Sequence, residues 1–338
     1  MKYTFLLILL LIFFGLIGCQ PGNREEEKTV EETENPSDNT LEEISQQIAE
    51  DSDNDMLYIR RADYFLSENK VDSALRDIII AIDIAPDNTN HYITLSDAYL
   101  ALGNPDKCLE ALERAIELDE TNQEALMKKA QLYLIMRDYD QTYQTISELI
   151  SIDRINPIAY FVRAMALIEQ GDTANAIKNL QVAVDQKQDY FEAQLQLGIL
   201  FANQRDPLAV SYLQNAISLE PMIIQPYYQL GLFFQENDRT ESAIQTYNSI
   251  LDIEPEYVPA LYNLGYIKLV YQQDFPRAAD YFSQVVQLAP DYAEAWYNRG
   301  YSYELMGQVK LARNDYKETL ELKENYPKAI EALNRLDN

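Results

Sequence analysis

The sequence predicts an all-α solenoid of about eight helix–turn–helix repeats, and three observations carry that prediction. Gly198, Gly231, Gly265 and Gly300 are separated by 33, 34 and 35 residues. Aligning on them divides the chain into blocks 55–88, 89–122, 123–156, 157–190, 191–223, 224–257, 258–292 and 293–326. A steady period of this length marks a repeat architecture, in which each unit buries its apolar face against its neighbours. Second, each block holds two amphipathic stretches with apolar residues three and four apart, the spacing of one helix face. In the block from Ile224 these are Tyr227, Leu230, Gly231 and Phe234, then Ala243, Tyr247 and Ile250 before Pro255. Third, the helix breakers obey the period. All seven glycines after residue 100 fall at block positions 8 and 15. Gly103, Gly171 and Gly307 are at position 15, where a helix C-cap between the two helices is expected. Pro105, Pro157, Pro207, Pro226, Pro259, Pro276 and Pro327 sit at expected helix starts; Pro86, Pro221, Pro255 and Pro290 lie just past second helices.

Before the repeats come three segments. In residues 1–18, Lys2 precedes an apolar run from Tyr3 to Ile17. The run is short of the ~20 residues of a membrane-spanning helix and matches the apolar core of a secretory signal. Residues 19–39 read as an acidic, flexible tether: between Arg24 and Asp55 there are 13 acidic and 2 basic residues, a local net of −11. So few apolar side chains cannot offset chain entropy, and like charges extend the segment. In residues 40–54, Thr40-Leu41-Glu42-Glu43 is a capping box, and Leu41, Ile44 and Ile48 form one helix face that covers the first repeat.

Within 55–326, position 8 is small in every block: Ala62, Ser96, Ala130, Ala164, Gly198, Gly231, Gly265 and Gly300. Position 20 is small as well, in Ala74, Cys108, Ala176, Ala209, Ala243, Ala278 and Ala312. Small residues on facing helices let backbones approach, and larger neighbours fill the remaining space. The block from Gln123 is the least regular, with Thr142 at position 20. Position 7 is basic in Arg61, Lys129, Arg163 and Arg299, which fits a packed stem with its head in water. Trp296 takes the large position 4, a core place. Residues 327–338, with Ala329, Ile330, Leu333 and Leu336, read as a closing helix over the last repeat.

Composition excludes most chemistry. The charge is 27 − 55 = −28, which argues against binding nucleic acid phosphates. With 2 Cys and 1 His there is no zinc cluster and no imidazole-activated nucleophile. The scattered glycines make no phosphate loop. No catalytic, metal or cofactor site is expected, and the protein reads as a non-enzyme. His91 lies in a first helical turn and is expected at the surface; Cys108 is expected to be a buried stand-in for Ala.

Two resemblances add to this reading. Leu16-Ile17-Gly18-Cys19 resembles the lipobox of bacterial lipoproteins. The resemblance implies cleavage before Cys19, lipid attachment at Cys19 and an envelope location. Gln20, in place of a retaining Asp, implies the outer membrane, on its periplasmic side or at the cell surface. Glu25-Glu26-Glu27 is weakly similar to surface-export signals, but a solvated tether is the preferred reading. The repeat itself resembles the tetratricopeptide repeat (TPR) family over residues 55–326. At the family's eight signature positions the last block shows Trp296, Arg299, Gly300, Tyr303, Ala312, Tyr316, Thr319 and Glu324.

That second resemblance implies a right-handed superhelix whose first helices line a concave, peptide-binding groove through positions 2, 5, 6, 9, 12 and 13. The N-terminal half of the groove is then mixed: Arg60, Asp63, Thr94, Asp97, Lys128, Gln131, Phe161 and Met165. The C-terminal half is more regular. Its candidate binding residues are Gln196, Tyr228, Gln229, Tyr262, Asn263, Tyr266, Tyr297, Asn298 and Tyr301, with Leu195, Ile199 and Leu232 at equivalent positions. Carboxamides can bracket a peptide group, and tyrosines offer area with a polar tip. The same residues are common in the family consensus, so ordinary repeat surface remains the other reading. The basic clamp some relatives use for acidic C-terminal tails is missing; only Asn263 fits it. The expected role is a membrane-tethered scaffold that binds an uncharged or mildly basic segment of an envelope protein. The alternative is glycan binding on the tyrosines.

Overall fold

The computed structural model describes residues 41–337. The signal and tether segments, Cys19 among them, lie outside these residues. Among the described residues there are eighteen α-helices and no strand. Helix α1 is Leu41–Glu50. The first helices of the repeats are α2 (Asp55–Ser67), α4 (Thr89–Ala101), α6 (Gln123–Met136), α8 (Pro157–Glu169), α10 (Phe191–Asn203), α12 (Ile224–Glu236), α14 (Val258–Tyr266) and α16 (Ala293–Leu305). The second helices are α3 (Val71–Ile84), α5 (Pro105–Leu118), α7 (Tyr139–Ile152), α9 (Thr173–Gln186), α11 (Leu208–Leu219), α13 (Thr240–Ile253), α15 (Phe275–Leu288) and α17 (Val309–Leu322). Helix α18, Pro327–Asp337, closes the stack. Each first helix starts on the first residue of a sequence block.

The turn inside each repeat has a residue of positive φ in all eight cases. A residue with positive φ ends the first helix: Gly103, Gly171 and Gly307, and also Asn69, Arg137, Arg205, Asp238 and Gln273. In seven of the eight turns the next amide reaches back five residues, as in Asn104 N to Tyr99 O at 2.9 Å and Asp138 N to Tyr133 O at 2.9 Å. That bond satisfies a carbonyl which the helix end leaves open. The five non-glycine residues hold this left-handed conformation at a cost of ~1–2 kcal/mol each.

Two repeats depart from 34 residues, and each absorbs the difference locally. In the 33-residue repeat, four positions separate Arg205 from Ala209, where five separate Asn69 from Ala74. In the 35-residue repeat, α14 widens into a π turn over Ile267–Tyr271, and Asp274 N reaches six residues back to Lys268 O at 2.8 Å.

Packing inside a repeat is a matched pair of volumes. Where position 8 is Ala or Ser, the facing position 24 is Ile78, Leu112, Ile146 or Leu180. Where position 8 is glycine in the last three repeats, the facing residue is Tyr247, Phe282 (shifted by the extra residue of its repeat) or Tyr316, all fully buried; Gly198, in the 33-residue repeat, faces Leu213 instead. A Cβ added to Gly231 would lie 2.5 Å from Tyr247 Cε1. Thr142, in the irregular block, is fully buried; its hydroxyl donates to Asp138 O at 2.8 Å, and the helix pair around it is normal.

Polar tips tie the inter-repeat loops. At position 4, Tyr58, Tyr92, Gln194, Tyr227 and Trp296 each donate to the carbonyl six residues earlier. Trp296 is therefore only part-buried, with its Nε1 on Pro290 O at 2.8 Å and the Arg299 guanidinium over its ring.

Two expectations need correction. His91 is completely buried, and its Nε2 lies 2.7 Å from Asp55 Oδ2 of the preceding repeat. Stacking α4 on α2 covers the ring. In the first and last repeats the position-7 arginine does not simply reach water. Arg61 donates two bonds to Asp77, at 2.7 and 2.9 Å, and Arg299 two to Asp315, both at 2.8 Å. Each carboxylate is a buried position-23 residue on the second helix of the same repeat.

The end helices cover apolar faces. Ile44 and Ile48 of α1 share a core with Leu57, Ala62 and Ile78. Ala329 and Ala332 of α18 pack on Ala312 and Tyr316.

Candidate functional site: the inner face of the first helices

First helices of neighbouring repeats touch: α2 with α4, α6 with α8, α10 with α12. Second helices of neighbouring repeats stand farther apart. A stack with closer first helices curves around them, so positions 2, 5, 6, 9, 12 and 13 face inward.

The N-terminal part of this face is charged. Lys128 Nζ meets Asp97 Oδ1 at 2.7 Å, joining the second and third repeats. Asp63 reaches solvent, yet the surrounding protein strips part of its hydration and Asp97 adds like charge. Together they push its carboxyl from 3.8 to about 6.

The C-terminal part is aromatic, and the structure divides the sequence candidates into two sets. Asn263 and Asn298 are buried and already engaged. Asn263 Nδ2 donates to Tyr247 OH at 3.2 Å, and that hydroxyl donates to Gln235 Oε1 at 3.1 Å. Asn298 Nδ2 donates to Tyr262 OH at 2.9 Å. Both amide bonds cross from one repeat to the previous one. Burial lifts the Tyr247 and Tyr262 phenols above the ordinary range, against the pull of these amides. Gln196 is buried too. The second set is half-buried: Tyr228, Gln229, Tyr266, Tyr297 and Tyr301. Their polar tips make no side-chain hydrogen bond among the described residues.

A set of residues that the sequence reading passed over completes the surface. Position 34 changes character along the chain. Asn88, Asn122 and Asn156 cap the next helix through their side chains. In four of the five later repeats the last residue is a tyrosine, Tyr190, Tyr257, Tyr292 or Tyr326, and each ring packs on the position-5 aromatic of its own repeat. The pairs are Phe161–Tyr190, Tyr228–Tyr257, Tyr262–Tyr292 and Tyr297–Tyr326, with centroids 4.9–6.0 Å apart. The joint change at positions 5 and 34 was the signal that marks them.

The charge of this face is one-sided. In the last five repeats the six inward positions hold no Lys or Arg and five glutamates: Glu169, Glu192, Glu236, Glu294 and Glu304. Glu304 is held by Arg335 and by Tyr316 OH, Glu294 by Lys323, and Glu169 by Tyr139 OH and Arg137. Glu192 and Glu236 have no cationic partner among the described residues.

Tetratricopeptide repeat family models match residues 89–132, 224–257, 259–292 and 293–326, in the frame of the structural repeats. The chain is a tetratricopeptide repeat protein. A similar solved structure is the C-terminal part of a TPR repeat-containing protein from Cytophaga hutchinsonii. It is 19% identical, with a TM-score of 0.62, and the match covers 71% of this chain and 98% of that one. YrrB, described as a TPR protein with an unusual peptide-binding site, is 20% identical with a TM-score of 0.44, over 55% of this chain and 96% of that one. Among curated proteins, the peroxisomal targeting signal receptor of Kluyveromyces lactis is 36% identical over 89 residues, 26% of this chain. The chain spans 16% of that receptor's length. As a TPR solenoid, this protein has the architecture of a protein-interaction scaffold, and no helix among its described residues is long and apolar enough to cross a membrane.

Proposed function

We propose that this TPR protein is a non-catalytic scaffold, anchored to the bacterial envelope through lipid on Cys19, that holds an extended protein segment against its inner face. The observation that carries the binding half is the row of half-buried tyrosines in the last three repeats: their rings pack on neighbouring aromatics, while the hydroxyls of Tyr228, Tyr266, Tyr297 and Tyr301 make no side-chain hydrogen bond among the described residues. Tyr228, Tyr266, Tyr297 and Tyr301 with Gln229 are the contact set. Asn263 and Asn298 keep neighbouring repeats in register and act through the tyrosines they hold. The lipobox-like Leu16-Ile17-Gly18-Cys19 and the acidic stretch after it support the anchoring half. Several acyl chains on one cysteine give stable membrane attachment where a single chain does not.

A photocrosslinking residue at Tyr266 or Tyr301 in cells should trap a discrete protein partner; the same group at exposed Lys178, on a second helix, should not. Equal trapping from Lys178 would remove the inner face from the proposal. Cys19→Ala should release the protein from the membrane fraction, and retention there would remove the anchor.

A further inference from the structure

We infer that the segment held by the last three repeats is a basic, proline-rich stretch in the polyproline II conformation. This rests on the binding reading above and names its ligand. Three features of the inner face choose the occupant.

The first is periodicity. Asn298 of α16 bonds Tyr262 of α14, so these first helices are in direct contact. Packed helices lie ~8–10 Å apart. A polyproline II helix repeats every three residues, ~9 Å, whereas a β-strand returns a side chain to one face every ~7 Å. The ~9 Å step falls within the range expected of packed helices and the ~7 Å step falls below it. Three repeats then take about nine residues.

The second is hydrogen-bonding sense. Polyproline II leaves every carbonyl open, and proline has no N–H to satisfy. The surface must supply donors, and the unused groups are the hydroxyls of Tyr228, Tyr266, Tyr297 and Tyr301 and the Gln229 amide. Flat rings also suit pyrrolidine rings, and Tyr297 and Tyr301 lie within 9° of parallel. Aromatic-lined grooves recognise polyproline II in this way, with little ordering entropy to overcome.

The third is charge. In the last three repeats the inward positions hold no Lys or Arg and three glutamates, of which Glu294 and Glu304 are held by Lys323 and Arg335; Glu236, and Glu192 one repeat earlier, stand without a cation among the described residues. The occupant carries Arg or Lys beside its prolines and lacks carboxylates.

The test uses the full chain and three fluorescein-labelled peptides, read by anisotropy. One is nine prolines flanked by Arg, one replaces the prolines with Gly/Ser, and one replaces Arg with Glu. The Arg–Pro peptide should bind at least tenfold more tightly than either other peptide. Tyr266→Ala with Tyr301→Ala should weaken it tenfold or more, with helicity unchanged by circular dichroism. Tyr266→Phe with Tyr301→Phe keeps the rings, removes two donors and should weaken binding severalfold. Equal binding of the Gly/Ser peptide, lost in the tyrosine variants, overturns the polyproline inference and leaves the inner face as the binding surface. Binding that no tyrosine variant disturbs overturns both. No binding of any peptide, beside continued crosslinking from Tyr266 in cells, overturns the inference alone.

Discussion

Replacing Gly231 with Ala tests whether position 8 is set by packing or by helix propensity. Propensity alone favours Ala in a helix interior by ~0.5–1 kcal/mol. The new Cβ, however, would sit 2.5 Å from Tyr247 Cε1 and 2.9 Å from Cδ1 and Cζ. The Tyr247 ring is fully buried and cannot step aside. Overpacking of this kind costs ~1–3 kcal/mol. A displaced ring also strains its bonds to Gln235 and Asn263, each worth ~1 kcal/mol. The net expectation is a loss of about 1–3 kcal/mol, summed from these terms. Urea unfolding followed by circular dichroism measures it, with hydrogen exchange at residues 224–257 to place it, because a solenoid can open repeat by repeat. Adding Tyr247→Leu recreates the pairing of small and leucine found at Ser96/Leu112 and Ala164/Leu180. That second change should be less harmful in the Ala background than in wild type, by ~1 kcal/mol of coupling or more. A Gly231→Ala protein more stable than wild type, or strictly additive changes, would refute the volume-pairing argument.

Arg299→Ala should destabilise the last repeat by ~3–5 kcal/mol, because it strands the buried Asp315 carboxylate; adding Asp315→Leu should recover much of that loss in the same urea assay. The raised carboxyl of Asp63 makes the folded state bind the proton more tightly than the unfolded chain does. Its contribution to stability therefore declines as pH rises from about 4 to about 6, and Asp63→Asn should flatten that part of the stability–pH curve; an unaltered curve would contradict the assignment. Burial pushes the Cys108 thiol up to about 11, so a thiol reagent at pH 8 should label it only as the repeat opens. Mass spectrometry of the Cys108 peptide checks this, and labelling at the speed of a free cysteine would count against it.

The repeat was legible because its grammar is local. Helix starts, the small positions 8 and 20 and the turn glycines all show within one 34-residue window. What the sequence hid depends on residues that meet only through stacking. His91 looked superficial because its cover and its partner Asp55 lie in the repeat before. Asn263 and Asn298 look like ligand-binding amides, since nothing in their own blocks reveals Tyr247 or Tyr262 as the acceptor. Arg61 and Arg299 were legible as packed stems. Their ion pairs follow from Asp77 and Asp315 at position 23, present only in the first and last repeats. The π turn left one trace, a block of 35 residues.

That extra residue bears on how such a chain changes length. The detour at Ile267–Tyr271 ends before α15 begins, Ala278 is still fully buried, and Gly265 still faces Phe282. The missing residue before Ala209 is likewise confined to one corner. An insertion or deletion at the helix–helix corner is thus quarantined, and every later repeat keeps its phase. Corners are where this protein can gain or lose residues without rewriting the surface downstream.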